Sequence, residues 1–113
     1  MAAAKTQHIV LVSTDKVLAQ EIKTAFSAFE TTELMTIAKP VADLGNELHG
    51  VENGVAIIDL DTRKLNELES LQRIMRRLEG GMQVIVVGQE FDPATARVMM
   101  QLRVSDFLVK PIS

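Results

Sequence analysis

The sequence predicts an α/β domain built on one doubly wound parallel sheet of five strands with helices on both faces. Three observations carry this. Short apolar runs alternate with segments whose apolar residues recur at helical spacing. The runs are apolar throughout rather than at every second residue, which marks strands covered on both faces. Strand-like and helix-like segments take turns along the whole chain, the order that gives a parallel sheet with crossover helices.

The first strand is "HIVLV" (8–12). Leu18, Ile22, Ala25, Phe26 and Phe29 then recur at helical spacing, with Thr14 or Asp15 as the cap. "ELMTIA" (33–38) is a second, poorer strand. Pro40 suits a first helical turn and opens a short helix with Val41, Leu44 and Leu48 on one face. "GVAIID" (54–59) is the third strand. Leu65, Leu68, Leu71, Ile74, Met75 and Leu78 form a helical stripe, stopped by "EGG" (79–81), where glycine supplies a left-handed cap. "MQVIVVG" (82–88) is the fourth strand. A fourth helix follows, capped by Asp92, with Pro93 at its first position and Val98, Met99 and Leu102 inward. "DFLVKP" (106–111) is the fifth strand, broken by Pro111. A flavodoxin-like strand order accommodates this sequence of elements.

Composition narrows the function classes. At 113 residues and 47% apolar, the chain suits one domain with a real core. With four Phe and neither Tyr nor Trp, that core is aliphatic. The absence of cysteine removes disulfides, thiolate metal sites and a cysteine nucleophile. A net charge of −3 does not favour nucleic-acid binding. No apolar run approaches the ~20 residues of a membrane helix, and "MAAAKTQ" lacks the apolar stretch of a secretory signal. The expectation is a soluble, intracellular domain.

Sheets of this kind bind ligands just past the carboxyl ends of their strands. Those positions are Ser13, Thr14 and Asp15 after the first strand, Asp59 after the third, Gly88 and Gln89 after the fourth, and Lys110-Pro111 after the fifth. Asp59 and Lys110 are placed to face each other. As a lone feature, Asp59 reads most simply as a turn or cap residue. His8 and His49 read as surface or capping residues, since neither has a partner at metal spacing. Asp61 reads as a solvated loop acid and "RRLE" (76–79) as a solvated helix face. The Met99-Met100 pair with Val98 reads as mainly core, with surplus apolar surface for a contact face.

The order of strand-Asp and strand-Lys-Pro, with the aspartate about 50 residues upstream of the lysine, resembles the receiver domain of two-component response regulators (the CheY-like variant of the flavodoxin-like fold). The resemblance covers nearly the whole chain. It implies that Asp59 holds the phosphoacceptor position and Lys110 that of the phosphate-binding lysine. In that family magnesium is bound by the phosphoacceptor and an acidic pair after the first strand. A hydroxyl after the fourth strand and an aromatic on the fifth form the switch.

The sequence departs from this pattern. Ser13 and Thr14 stand at the acidic-pair positions, and neutral hydroxyls hold a hard cation far less well than carboxylates. Gly88 stands at the switch hydroxyl, Thr62 replaces the usual proline after the phosphoacceptor, and Phe107 fills the aromatic position without a hydroxyl. The metal site and switch are thus degenerate, which points to an Asp59–Lys110 ion pair with Asp59 as the lysine's main partner. The resemblance also implies a final helix that the chain does not contain, so the flank beside the first and fifth strands is expected to need cover. The chain is accordingly expected to be the amino-terminal fragment of a longer protein.

"FDPATARVMMQLRVSDFLVKPIS" (91–113) is similar to the atypical receiver at the front of CpaE/TadZ-type pilus-assembly proteins, which are polar localisation factors carrying an ATPase behind the receiver. "LRVSDFLVKP" carries much of this likeness, with Arg103-Val104 where ordinary receivers have Ala-Gly. The resemblance implies a non-catalytic interaction and localisation module of a pilus-assembly (Flp/Tad) protein in the bacterial cytoplasm, including the pole. It would bind protein partners or a second copy of itself and need no cofactor. The alternative is a working phosphoacceptor receiver, phosphorylated on Asp59 with magnesium. A third reading is an unrelated small binding domain; the lack of a glycine-rich loop after the first strand argues against a nucleotide site there.

Overall fold

The computed structural model describes residues 7–28, 32–45, 47–48, 54–78 and 81–111. Strand β1 is Gln7–Val12, β2 Thr32–Ile37, β3 Val55–Asp59, β4 Gln83–Gly88 and β5 Asp106–Val109. Helix α1 is Lys16–Phe26, α2 Leu65–Leu78 and α3 Pro93–Gln101. The five strands form one parallel sheet in the order β2-β1-β3-β4-β5, the flavodoxin-like order.

Burial explains the apolar runs. In β1 every residue from Ile9 to Val12 is buried, and in β3 every residue from Val55 to Ile58. Because side chains alternate along a strand, each run serves two cores. Val10, Val12, Ala56, Ile58, Val84 and Val86 face Leu71 and Ile74 of α2 and Met99 of α3. Ile9, Leu11, Val55, Ile57 and Val87 face Leu18 and Ile22 of α1, the one described helix on that side. The edge strands differ. β2 is only partly covered, and on β5 Leu108 and Val109 are exposed while Phe107 is half-buried.

Several expectations need correction. Between β2 and β3 there is no α-helix among the described residues, only a single 3-10 turn, Val41–Asp43. Pro40 is its cap in extended conformation rather than its first helical residue. The Glu47 carboxylate organises this loop instead, accepting from Gly45 N at 2.6 Å and Lys39 Nζ at 2.8 Å. Val41 and Leu48 are nevertheless buried in the same core. The α2 stripe starts at Leu68, because Leu65 lies in the first turn and is exposed, while Glu67 and Ser70 are buried. In α1, Ala25 is exposed and Phe26 packs against the core. In α3 the methionines divide: Met99 is buried and Met100 is 71% exposed. Phe29, His49, Glu79 and Gly80 lie outside the described residues.

The connection from α3 to β5 carries a strained residue. Arg103 has φ 61°, in the left-handed region that costs a side chain about 1 kcal/mol or more. It is exposed and follows the helix cap Leu102, where glycine is the common choice. Arg103→Gly should therefore raise stability by roughly 0.5–1 kcal/mol, read as a higher urea midpoint at unchanged slope.

Candidate functional site

The site forms over the ends of β1, β3 and β5, with β4 lying between the last two. Asp59 is the last residue of β3 and, with 17% of its side chain exposed, is largely buried. The Lys110 backbone N–H donates to Gly88 O at 2.9 Å, which extends the β4–β5 pairing and brings the lysine over the sheet end. Lys110 Nζ then lies 2.9 Å from Asp59 Oδ1, the expected ion pair.

Asp59 is not the lysine's only partner. Lys110 Nζ also donates to Asp15 Oδ2 at 2.9 Å. Asp15 is the N-cap of α1, so the choice between Thr14 and Asp15 falls to Asp15. Its Oδ1 accepts from Val17 N at 3.0 Å and Leu18 N at 3.2 Å. One carboxylate thus caps a helix with one oxygen and holds the lysine with the other. Capping therefore does not take Asp15 out of the site. Capping uses a single oxygen and leaves the second free.

Ser13 closes the network. It is buried, its hydroxyl donates to Asp59 Oδ2 at 2.7 Å, and it accepts from Asp15 N at 2.9 Å. Both oxygens of Asp59 are therefore engaged, one by an ammonium and one by a hydroxyl. Thr14 is exposed and only lines the cleft.

The cleft over these strand ends has a volume of about 300 Å³. Every cation lining it already faces a carboxylate. Lys110 has two, Arg63 Nε is 3.1 Å from Asp61 Oδ1, and Lys64 Nζ is 4.0 Å from Glu67 Oε2. Asp61, expected to be a solvated acid, is thus half-buried and bonded. The Arg63 side chain holds its carboxyl below the ordinary 3.8.

Two further residues escaped sequence reasoning. Glu67 is buried, and its Oε1 accepts from Asp61 N at 3.0 Å, bracing the loop after Asp59. The available signal was its place at helical spacing with Leu71 and Ile74, a carboxylate inside an apolar stripe. Phe91 lies against Gly88 and stacks on Phe107, with ring centroids 4.9 Å apart and planes at 51°. Gly88 is buried, and a Cβ there would lie 3.1 Å from Leu60 O and 3.2 Å from Phe91 Cζ. His8 adds nothing to the site: it is exposed and pairs with Glu33 across β1 and β2 at 3.1 Å. Among the described residues, no group of three or more His, Asp or Glu is arranged to hold a metal ion.

The electrostatics are cooperative. Burial works against the charged form of Lys110, but the hydrogen bonds from its ammonium to Asp15 and Asp59, and their charges, outweigh it and raise its pKa above 10.5. The Lys110 hydrogen bond, followed by the Leu18 N–H, holds Asp15 below 3.8. The Lys110 contribution to stability is complete below pH 10.5 and is lost as pH rises through its higher folded value. The Asp15 contribution is complete above pH 3.8 and is lost as pH falls through its lower folded value. Lys110→Met should cost about 1–3 kcal/mol at pH 7, because it leaves two partly buried carboxylates unneutralised. In urea titrations that deficit should shrink below pH 3.8, as Asp15 takes up its proton.

No family model matches the chain, and no curated protein matches it. Solved structures do. A candidate pilus assembly protein (CpaE) from Burkholderia thailandensis is similar with TM-score 0.76 at 20% identity, over 95% of this chain and 88% of that one. A candidate pilus assembly-related protein from Burkholderia pseudomallei gives TM-score 0.76 at 19% identity, over 96% and 81%. The isolated receiver domain of RcsB from Salmonella enterica serovar Typhimurium, solved with the phosphomimetic BeF3−, gives TM-score 0.76 at 15% identity, over 96% and 80%. The chain has the receiver-domain fold, and its structural neighbours are both pilus-assembly proteins of the CpaE kind and response-regulator receivers.

Proposed function

We propose that the domain is a non-catalytic receiver-like interaction and localisation module of a pilus-assembly protein, and that Asp59 is not phosphorylated. The observation that carries this is the engagement of both oxygens of Asp59: Oδ1 holds Lys110 and Oδ2 accepts from Ser13. A contact that withdraws electron density from each oxygen weakens the carboxylate as a nucleophile. The rest of the cleft supports the same reading. Binding a phosphoryl group needs unspent donors, whereas the lysine and arginine side chains there already face carboxylates.

The magnesium that a working receiver would use does not fit this donor set. Asp15 and Asp59 are both turned to the Lys110 ammonium, which already occupies the space between them as a cation. The remaining oxygens at the acidic-pair positions are the hydroxyls of Ser13 and Thr14, weak ligands for a hard cation. The two pilus-assembly neighbours favour a protein partner over a chemical substrate.

A phosphoacceptor receiver is the second reading. It is favoured by the position of Asp59 at the open end of β3, within 2.9 Å of a lysine.

Incubation with magnesium and acetyl phosphate, followed by intact-mass measurement, should leave the protein unmodified. Stoichiometric phosphate on Asp59 would overturn the proposal. Asp59→Asn should leave cellular localisation unchanged, whereas a working receiver would lose its response.

A further inference from the structure

The loop from Gln89 to Asp92, between β4 and α3, is tied down at each of its inner residues. Thr62 Oγ1 donates to Glu90 O at 3.0 Å, joining it to the loop after Asp59. Asp92 Oδ1 accepts from Thr95 N at 2.7 Å and starts α3. Between these ties, Phe91 turns inward, lies on Gly88 and stacks on Phe107 of β5.

Glycine at 88 is what admits this ring. A Cβ there would lie 3.2 Å from Phe91 Cζ and 3.1 Å from Leu60 O. The ring would have to give by a few tenths of an ångström, and the carbonyl belongs to backbone that is itself held by the Leu60 N–H to Val87 O bond at 2.8 Å. The same ring bridges β5, since Phe107 packs on it, while β5 is tied to β4 by Ser105 N to Val84 O at 2.7 Å and Lys110 N to Gly88 O at 2.9 Å. The start of α3 and the middle of β5 are thereby held through one aromatic wedge. Those two elements also carry the exposed Met100, Leu108 and Val109.

We propose that Gly88, Phe91 and Phe107 form a conformational lock that fixes the α3–β5 surface in one arrangement. This rests on the reading of the domain as a constitutive module and adds the device that makes it constitutive. Phe91 occupies the space in which a side chain at 88 would move, so Phe107 keeps one inward position.

The test is amide exchange of the whole chain together with NMR of a fluorine-labelled phenylalanine at Phe107. The native protein should show a single Phe107 environment with no millisecond exchange. In Phe91→Ala, exchange over residues 89–101 should rise roughly tenfold, the scale of a lost aromatic pair, and Phe107 should sample two environments. Gly88→Ala should act in the same direction, while Phe91→Leu, which restores bulk, should act less. Unchanged protection and a single Phe107 environment in Phe91→Ala would overturn the lock. So would two Phe107 environments in the unsubstituted chain, a measurement that needs no variant to fold. Phosphate uptake on Asp59 would overturn the previous proposal and leave the lock standing, so the two fail separately.

Discussion

The ammonium of Lys110, placed 2.9 Å from Asp15 and 2.9 Å from Asp59, is the contact on which the site depends. It joins three segments far apart in sequence: the start of α1, the end of β3 and the end of β5. Burial works against the charged form of the lysine, and the two carboxylates that share it more than offset that penalty. β4 lies between β3 and β5, so the lysine must reach across the end of a strand. The long, compact-headed lysine side chain suits that span, and its three donors allow two carboxylates to be served at once.

The helix cap and the ion pair share an atom group, and this links fold and site. Asp15 fixes where α1 begins and, with the opposite oxygen, fixes where Lys110 points. Ser13 does the same for the other two members, accepting from the Asp15 N–H and donating to Asp59. The outcome is a ring of contacts with no buried side-chain polar atom left unsatisfied among the described residues. A site that binds an anion by exchange with water keeps donors in reserve. Here the Lys110 ammonium and the Ser13 hydroxyl are turned to the site's own carboxylates, which favours a fixed structure over a responsive one.

Much of the fold was legible in the sequence because burial on both sheet faces leaves a continuous apolar run, as in Ile9–Val12 and Val55–Ile58. Local chemistry at Asp92-Pro93 was equally readable, since a cap and an N1 proline act within one turn. The segment after Pro40 was not. Its apolar residues reach the core, but a glutamate side chain sets the loop rather than helical hydrogen bonding. At the site, the Asp59–Lys110 approach followed from topology. The second bond of Asp15 did not, because a capping motif uses one oxygen and says nothing of the other. Phe91 was hidden for a similar reason: a loop aromatic beside a strand-end glycine has no periodicity to reveal it.

On the proposed reading, position and reactivity part company at Gly88. Loss of a side chain at that residue removes any hydroxyl that could meet a phosphoryl group. The same loss makes room for Phe91, which then packs against both Gly88 and Phe107. The two effects are therefore not independent. The Cβ of a threonine at 88 would press on the Leu60 carbonyl and the Phe91 ring. On the other side of Asp59, carboxylates at 13 and 14 would have to compete for space with an ammonium that Asp15 also holds. On the proposed reading, the departures from the receiver pattern support one another through shared contacts. A receiver-shaped sheet can then keep Asp59 and Lys110 in place while using them as structure.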